Sequence, residues 1–159
     1  MIASNLSVNN SSHLVFAGRD TVELAEKYGT PLYLLDEDTV RARCRLYRRA
    51  MCEAFGEDAL PLYAGKALCV RDIYRIMREE GMGIDVVSSG EIYTAVAAGF
   101  PMERAYFHGN NKTDADIAYA ISVGVGRFVC DSVDELLALE REAASCHTTV
   151  RILPRGREP

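Results

Sequence analysis

A lysine that follows a short apolar segment is the first residue of this sequence that could do chemistry. Lys66 comes directly after the run Leu60–Ala64 and Gly65. A lysine amine at the exit of a buried strand can be desolvated, lose its proton near neutral pH and condense with an aldehyde. Most lysines beside strands are simply solvated, so Lys66 becomes a candidate only through the elements that surround it.

Five apolar segments recur at a nearly constant interval after residue 59. They predict strands at 60–64, 83–87, 105–109, 127–130 and 149–153. Counted from residues 62, 85, 107, 129 and 151, the intervals are 23, 22, 22 and 22 residues. One helical pattern stands between each pair, at 72–80, 91–98, 113–123 and from Ser132 onward. Short strands that alternate with single helices predict parallel strands with right-handed crossovers, hence an α/β fold.

The constant period favours a (β/α)8 barrel over a doubly wound sheet. A sheet that reverses its strand order usually needs a longer crossover at the switch point. A complete barrel takes roughly 250 residues, whereas this sequence has 159 residues and holds about four and a half βα units. We therefore expect the N-terminal part of a barrel, truncated after about the fifth strand.

Four parts are predicted along the chain. Residues 1–13, rich in Asn and Ser, are expected to form a flexible arm. Residues 14–59 form a segment that leads into the barrel, with a helix between Asp20 and Gly29, a strand at 32–35 and an amphipathic helix at 38–55. Residues 60–154 are the first half of the barrel, and residues 155–159 are an aberrant tail.

Composition indicates a cytoplasmic protein without membrane or nucleic-acid contacts. No segment approaches the ~18 apolar residues of a membrane span, and the N-terminus lacks the pattern of a signal peptide. The net charge is −5 and nucleic-acid-binding motifs are lacking, so the arginines of the 38–55 helix are expected to be solvated. Five scattered cysteines without a Cys-x-x-Cys pair indicate neither a disulfide framework nor a metal site.

Candidate site residues follow from the ends of the predicted strands, because barrel enzymes gather their chemistry at the carboxyl ends. Those ends carry Lys66, Asp85 with Ser88, His108 with Asn110 to Lys112, Asp131 with Ser132, and Arg151 on the fifth strand. The serines and Asp131 are also ordinary helix caps. Asp85 lies in an otherwise apolar strand, where an unpaired carboxylate is costly, so it needs a partner, and Lys66 is one available cation.

Six ordered motifs connect these residues to a known family. They are Gly-Thr-Pro-Leu-Tyr at 29–33, Tyr-Ala-Gly-Lys-Ala at 63–67, Asp-Val-Val-Ser-Ser-Gly-Glu at 85–91, Ala-Gly-Phe-Pro at 98–101, Phe-His-Gly-Asn-Asn-Lys at 107–112, and Gly-Val-Gly-Arg at 124–127 followed by Asp-Ser at 131–132. In this order and spacing the sequence resembles the diaminopimelate decarboxylase family, of the alanine-racemase-like class of pyridoxal-phosphate enzymes. The resemblance covers about residues 14 to 154. The motif at 107–112 favours this family over the ornithine and arginine decarboxylases.

The resemblance implies a function and roles for single residues. It implies decarboxylation of meso-2,6-diaminopimelate to L-lysine and carbon dioxide in lysine biosynthesis, by a full-length protein that forms a homodimer. Lys66 matches the family lysine that binds pyridoxal 5'-phosphate covalently, and Asp85 matches the acidic residue beside it. His108 and Asn110 match a loop that borders the cofactor site, and Arg151 matches a fifth-strand arginine near it.

The resemblance ends abruptly after Pro154. The family has Arg-x-x-Pro-Gly at this place, whereas Arg155-Gly156-Arg157 follows here. The remainder of the family barrel, with a glycine-rich phosphate cradle and a glutamate for the pyridine nitrogen, has no counterpart in the sequence, and neither does the family's β domain. We therefore expect a truncated or frame-shifted coding sequence whose 159-residue product is inactive by itself.

Two other functions stay open on the sequence. One is a related enzyme of the same fold, either an ornithine- or arginine-type decarboxylase or a non-catalytic cofactor-binding homologue. The family's substrate-selecting residues lie mostly outside the matching part, so only the N-terminal motifs argue against it. The other is a small α/β binding module, which requires a chain that is monomeric and folds cooperatively on its own.

Overall fold

The fold consists of two units, which divide between Arg43 and Cys44. The structure, a computed structural model, describes residues 4–156. Residues 1–3 of the expected arm and residues 157–159 of the expected tail therefore lie outside the described residues.

The first unit holds a small antiparallel sheet and a short helix. Strands β1 (Leu6–Val8), β2 (Leu14–Phe16) and β3 (Arg19–Asp20) pair in the order β1-β2-β3. Helix α1 (Thr21–Tyr28) starts where sequence analysis placed it, because the Asp20 carboxylate accepts hydrogen bonds from the backbone of Val22 at 2.8 Å and of Glu23 at 3.3 Å.

Two segments of this unit differ from the expectations. A paired strand, β1, lies where the Asn- and Ser-rich composition predicted a loose arm, because its partner β2 supplies the hydrogen bonds that composition does not reveal. The strand predicted at 32–35 is wrong. Residues 31–36 are irregular, no strand of the described residues pairs with them, and Tyr33 is 100% exposed. An apolar run becomes a strand only when a neighbouring strand satisfies its backbone groups.

The second unit is a parallel sheet whose strand order equals the sequence order, β4-β5-β6-β7-β8. Its strands are β4 (Leu62–Ala64), β5 (Gly83–Val86), β6 (Ala105–Phe107), β7 (Arg127–Cys130) and β8 (Ile152–Pro154). Its helices are α3 (Arg71–Glu79), α4 (Ser89–Ala97), α5 (Asp114–Ser122) and α6 (Val133–Ser145), with one-turn helices at Gly65–Ala67 and Met102–Arg104. Helix α2 (Glu37–Phe55) contains the boundary between the units. Neighbouring parallel strands joined by single helices are the architecture of barrel βα units, so the predicted fold class is confirmed.

Alternate strand residues form the core of this unit. Ile84, Val86, Phe107 and Phe128 are fully buried, and the Phe107 and Phe128 rings lie 6.1 Å apart. The helices add further buried side chains, Tyr74, Met77, Ile92, Ile117 and Leu139. Because strand side chains alternate between faces, the residues between these core positions point to the opposite face of the sheet. No helix of the described residues is long and apolar enough to cross a membrane.

Polar caps fix where two helices begin at the carboxyl edge of the sheet. Ser88 accepts a hydrogen bond from the backbone of Glu91 at 3.3 Å, and Ser132 accepts one from Glu135 at 3.2 Å, as predicted. The glutamates do not return the bond to the cap residue. Their carboxylates instead accept from the preceding backbone N–H, that of Val87 at 3.0 Å and that of Asp131 at 3.2 Å. Each helix start is thereby tied to the end of the strand before it.

We expect the 159-residue chain alone to self-associate. Among the described residues, β4 and β8 each pair on one side only, so each leaves a row of backbone donors and acceptors unpaired. Light scattering coupled to size exclusion should detect oligomers. Leu153→Lys should reduce them, because Leu153 is exposed on β8 and a charge there opposes edge-to-edge pairing. A cooperatively folded monomer would contradict this expectation and favour the small binding module.

Candidate functional site

The carboxyl ends of the parallel strands bring to one edge of the sheet four of the five residues to which the resemblance assigns a role. Lys66 lies in the one-turn helix that directly follows β4, and Asp85 lies in β5. His108 follows β6 directly, and Asn110 is exposed in the same loop. The register pairs Ala64 with Asp85, so the turn that carries Lys66 is next to the strand that carries Asp85.

Lys66 has the accessibility that a reactive amine needs. The sequence contains three lysines, Lys27, Lys66 and Lys112. Lys66 is exposed, and no hydrogen bond or ion pair of its amine occurs among residues 4–156. Lys112, the other lysine near this edge, is buried and its amine contacts three acceptors. The structure therefore leaves Lys66 as the accessible lysine at the carboxyl ends of β4 to β8.

Gly65 allows the turn that carries Lys66 to pack closely against its neighbours. A Cβ atom at Gly65 would lie 2.5 Å from the Tyr74 hydroxyl, 2.7 Å from Glu91 Oε2 and 3.2 Å from the carbonyl oxygen of Asp85. Tyr74 cannot move aside easily, because its side chain is fully buried. Its hydroxyl donates to Cys69 Sγ at 3.6 Å, and burial raises the pKa of this hydroxyl, which therefore stays protonated. Only a residue without a side chain fits at position 65.

Asp85 has the His108 ring as its neighbour, not Lys66 as the sequence suggested. Asp85 Oδ1 lies 3.4 Å from His108 Nδ1, which is within ion-pair distance. The geometry is not that of a hydrogen bond, because Oδ1 is buried and has no hydrogen-bond partner among the described atoms. The side chains are 23% and 35% exposed, so both can be reached from the surface. Asp85 thus presents an acceptor oxygen whose bonding capacity is unused.

The backbone holds His108 in this place. His108 N donates to the carbonyl oxygen of Val86 at 2.8 Å, which continues the β5–β6 ladder by one bond beyond the strand. The next residue, Gly109, has a φ of +108° and passes close to β5, since a Cβ there would lie 3.0 Å from the carbonyl oxygen of Val87. A side chain at 109 would therefore be strained and crowded.

Two residues that sequence reasoning missed lie in a row with Asp85. Asp85 pairs with Tyr106, and Tyr106 pairs with Arg127, across strands β5, β6 and β7. The Arg127 guanidinium lies 5.0 Å from the centre of the Tyr106 ring, a cation–π contact. These three side chains alternate with buried core residues, so they share the sheet face that is turned away from the core. The available signal was one polar side chain in each of these otherwise apolar strand segments.

The structure does not bring Arg151 to the carboxyl edge. Sequence analysis placed it on the fifth strand, but β8 starts one residue later, at Ile152, and Arg151 precedes it. Arg151 is exposed, and its carbonyl oxygen accepts a hydrogen bond from the backbone of Phe128 at 2.9 Å. The arginine that follows the carboxyl end of β8 is Arg155, whose Nη1 lies 3.4 Å from Asp131 Oδ1.

Comparison with known sequences finds relatives along most of the chain. Residues 37–158 match the family model described as pyridoxal-dependent decarboxylase, pyridoxal binding domain. The diaminopimelate decarboxylase of Halalkalibacterium halodurans is 42% identical over 151 residues, which cover 92% of this chain and 34% of that protein. The chain thus spans about a third of the length of the curated relatives it matches.

Solved structures agree with this finding. A diaminopimelate decarboxylase from M. jannaschii in complex with L-lysine is 30% identical, with a TM-score of 0.85 over 96% of this chain and 36% of its own. A lysine/ornithine decarboxylase from Vibrio vulnificus in complex with cadaverine is 26% identical, with a TM-score of 0.72 over 94% of this chain and 37% of its own.

We expect Gly65→Ala to destabilise the protein and displace the turn that carries Lys66. Its methyl group would enter space held by buried Tyr74 and by Glu91, and overpacking of this kind costs about 1–3 kcal/mol. Gly90→Ala is the matched control. Gly90 lies in the first turn of α4, and a Cβ there would lie 3.8 Å from Ser88 Oγ, so the substitution should be neutral or stabilising by up to about 1 kcal/mol. Denaturant unfolding of both variants measures the change in the free energy of unfolding. Equal changes in the two variants would contradict the close packing proposed at Gly65.

Proposed function

The chain belongs to the pyridoxal-dependent decarboxylases, as its motifs predicted, and we propose on this premise that the whole protein is a diaminopimelate decarboxylase. Its reaction would convert meso-diaminopimelate to L-lysine and carbon dioxide. The observation that carries the proposal is the exposed amine of Lys66 at the carboxyl end of β4, which has no hydrogen bond or ion pair within residues 4–156 and follows the strand paired with that of Asp85. The choice of substrate is supported by the 42% identity to a diaminopimelate decarboxylase, and by a TM-score of 0.85 to a solved one against 0.72 to the lysine/ornithine enzyme.

The residues of the site fit pyridoxal phosphate. The cofactor carries an aldehyde, for which Lys66 offers an accessible amine, and polar groups, for which Asp85 Oδ1 offers an unused acceptor. Lys66 would hold the cofactor covalently, while Asp85, His108 and Asn110 would border it. When bound, the pyridine ring of the cofactor accepts the electron pair that the departing carboxylate leaves behind.

Residues of this chain would orient the reacting groups. The close packing at Gly65 orients Lys66, because the turn can approach Tyr74 and Glu91 only when residue 65 has no side chain. The Lys66 amine must be neutral to react with an aldehyde. Asp85 lies on the next strand, in register with Ala64, and would contribute a carboxylate to the site. The His108 ring faces Asp85 Oδ1 at 3.4 Å, so the charge of Asp85 also orients this ring.

Further properties of the whole protein belong to the same proposal. We propose a cytoplasmic homodimer that takes part in lysine biosynthesis and binds neither nucleic acid nor membrane. The sequence resemblance supports the dimer and the pathway. The acidic net charge of −5 supports the absence of a nucleic-acid partner.

A substrate comparison tests the proposed reaction. The whole protein, loaded with pyridoxal phosphate, should release carbon dioxide from meso-diaminopimelate and accumulate L-lysine. It should act on ornithine, arginine and lysine at least about a hundredfold less efficiently, since a site built for a second charged carboxylate leaves its donors unpaired with these substrates. Preferential decarboxylation of ornithine, arginine or lysine would overturn the substrate assignment but keep the family.

Lys66→Ala should abolish covalent attachment of the cofactor and the decarboxylation. Borohydride reduction of the unmodified protein should fix the cofactor on the peptide that contains Lys66, as read by mass spectrometry, because this amine is accessible whereas Lys112 is buried. Lys27→Ala is the control, since Lys27 is an exposed lysine of α1 and should have no effect. A label on another lysine, or one that survives in Lys66→Ala, would refute the role of Lys66.

A further inference from the structure

Lys112 is a buried charge to which the proposed reaction assigns no task. Its side chain is 1% exposed. Its ammonium group lies 2.8 Å from the carbonyl oxygens of Gly109 and Val129 and 2.5 Å from Glu135 Oε1. A lysine ammonium has three N–H donors, so all of them are used. The group also lies 5.4 Å from the centre of the Phe107 ring.

Glu135 connects this ammonium group to the next βα unit. Its side chain is 10% exposed, and its second oxygen, Oε2, accepts a hydrogen bond from the backbone of Asp131 at 3.2 Å. Glu135 lies in the first turn of α6, where the helix dipole also stabilises a carboxylate. The pair of Lys112 and Glu135 therefore joins the loop after β6 to the end of β7 and to the start of α6.

The loop between β6 and Lys112 is consequently held at both ends. At its start, His108 N bonds to the carbonyl oxygen of Val86 and Gly109 passes close to Val87. At its end, Lys112 bonds back to the carbonyl oxygen of Gly109 and across to β7. His108 and Asn110, the two candidate residues of this loop, lie between these fixed points. Moving Lys112 would release the loop from its attachment to β7.

Stability alone does not explain an ion pair in this place. Buried ion pairs are often no more stabilising than apolar residues of similar volume, because both charges lose their hydration. What an ammonium group provides and an apolar side chain does not is three directed bonds, here to a loop, a strand and a helix. This geometry points to a positioning role.

We propose that Lys112 and Glu135 are positioning residues of the cofactor site, which hold the loop of His108 and Asn110 beside Asp85. The inference rests on the proposed function, since the site served is the one assigned to pyridoxal phosphate. Neither residue touches the cofactor in this proposal. Their effect reaches it through the backbone at residues 108–111.

The test compares three variants of the whole protein, Lys112→Met, Glu135→Gln and the double variant. Lys112→Met leaves the Glu135 carboxylate buried without its cation, so it should lower the melting temperature strongly. The double variant removes both charges, and the glutamine can still accept the bond from Asp131, so the melting temperature should recover. The dissociation constant for pyridoxal phosphate, measured by absorbance titration without substrate, should stay raised by about tenfold or more in the double variant, because a misplaced loop weakens the site.

The double variant separates positioning from stability. If the pair served stability alone, cofactor affinity would recover together with the melting temperature, and that result would overturn the inference. Leu139→Ala is the matched control, because Leu139 is a buried residue of the same helix and its loss lowers stability through a cavity. It should bind the cofactor like the unmodified protein. An equal loss of affinity in Leu139→Ala would likewise overturn the inference.

The same titration distinguishes this inference from the proposed function. An unmodified whole protein that neither binds pyridoxal phosphate nor is labelled at Lys66 contradicts the proposed function, and the positioning role falls with it. If the unmodified protein binds pyridoxal phosphate and is labelled at Lys66, and the double variant binds the cofactor equally well, the positioning role alone is refuted.

Discussion

The register of the parallel strands is the constraint on which the rest of this site depends. Ala64, Asp85 and Tyr106 are successive partners across three strands, and Arg127 continues the row on a fourth. Side chains alternate between the two faces of a strand, so a slip by one residue would turn Asp85 into the core and expose Val86. Complete burial of the core positions Ile84, Val86, Phe107 and Phe128 opposes any such slip. The same packing that stabilises the sheet therefore orients its polar face.

Close approach of backbones is the second condition for the site, and glycines provide it at two points. Gly65 lets the turn of Lys66 lie against Tyr74, Glu91 and the backbone of β5. Gly109 lets the loop after β6 cross near Val87, with a positive φ that other residues adopt with strain. Both contacts draw loops toward β5, the strand of Asp85. Backbone packing alone thus brings the candidate residues close to β5, without a contribution from side-chain hydrogen bonds.

Lys66 and Lys112 show that the surrounding groups determine whether a lysine amine is bonded or accessible. Both follow strands at the same edge of the sheet, 46 residues apart in the sequence. Lys112 finds two carbonyl oxygens and a carboxylate within hydrogen-bond distance and becomes part of the framework. Lys66 finds none among the described residues and remains available for chemistry. An accessible amine that follows the strand next to Asp85, whose Oδ1 has no hydrogen-bond partner among the described atoms, is a fitting environment for an aldehyde cofactor.

The sequence by itself determined the family and the alternation of strands and helices from residue 60 onward, because a 22-residue period and helix caps are read within short windows of the chain. It also placed Lys66, Asp85, His108 and Asn110 at strand ends. Only the tertiary structure decided that Asp85 faces His108, that Lys112 is buried, and that Arg151 precedes its strand. It also showed that residues 32–35 form no strand. These features depend on partners far along the chain: Lys112 reaches acceptors 17 and 23 residues away, and no local pattern encodes a bond to them.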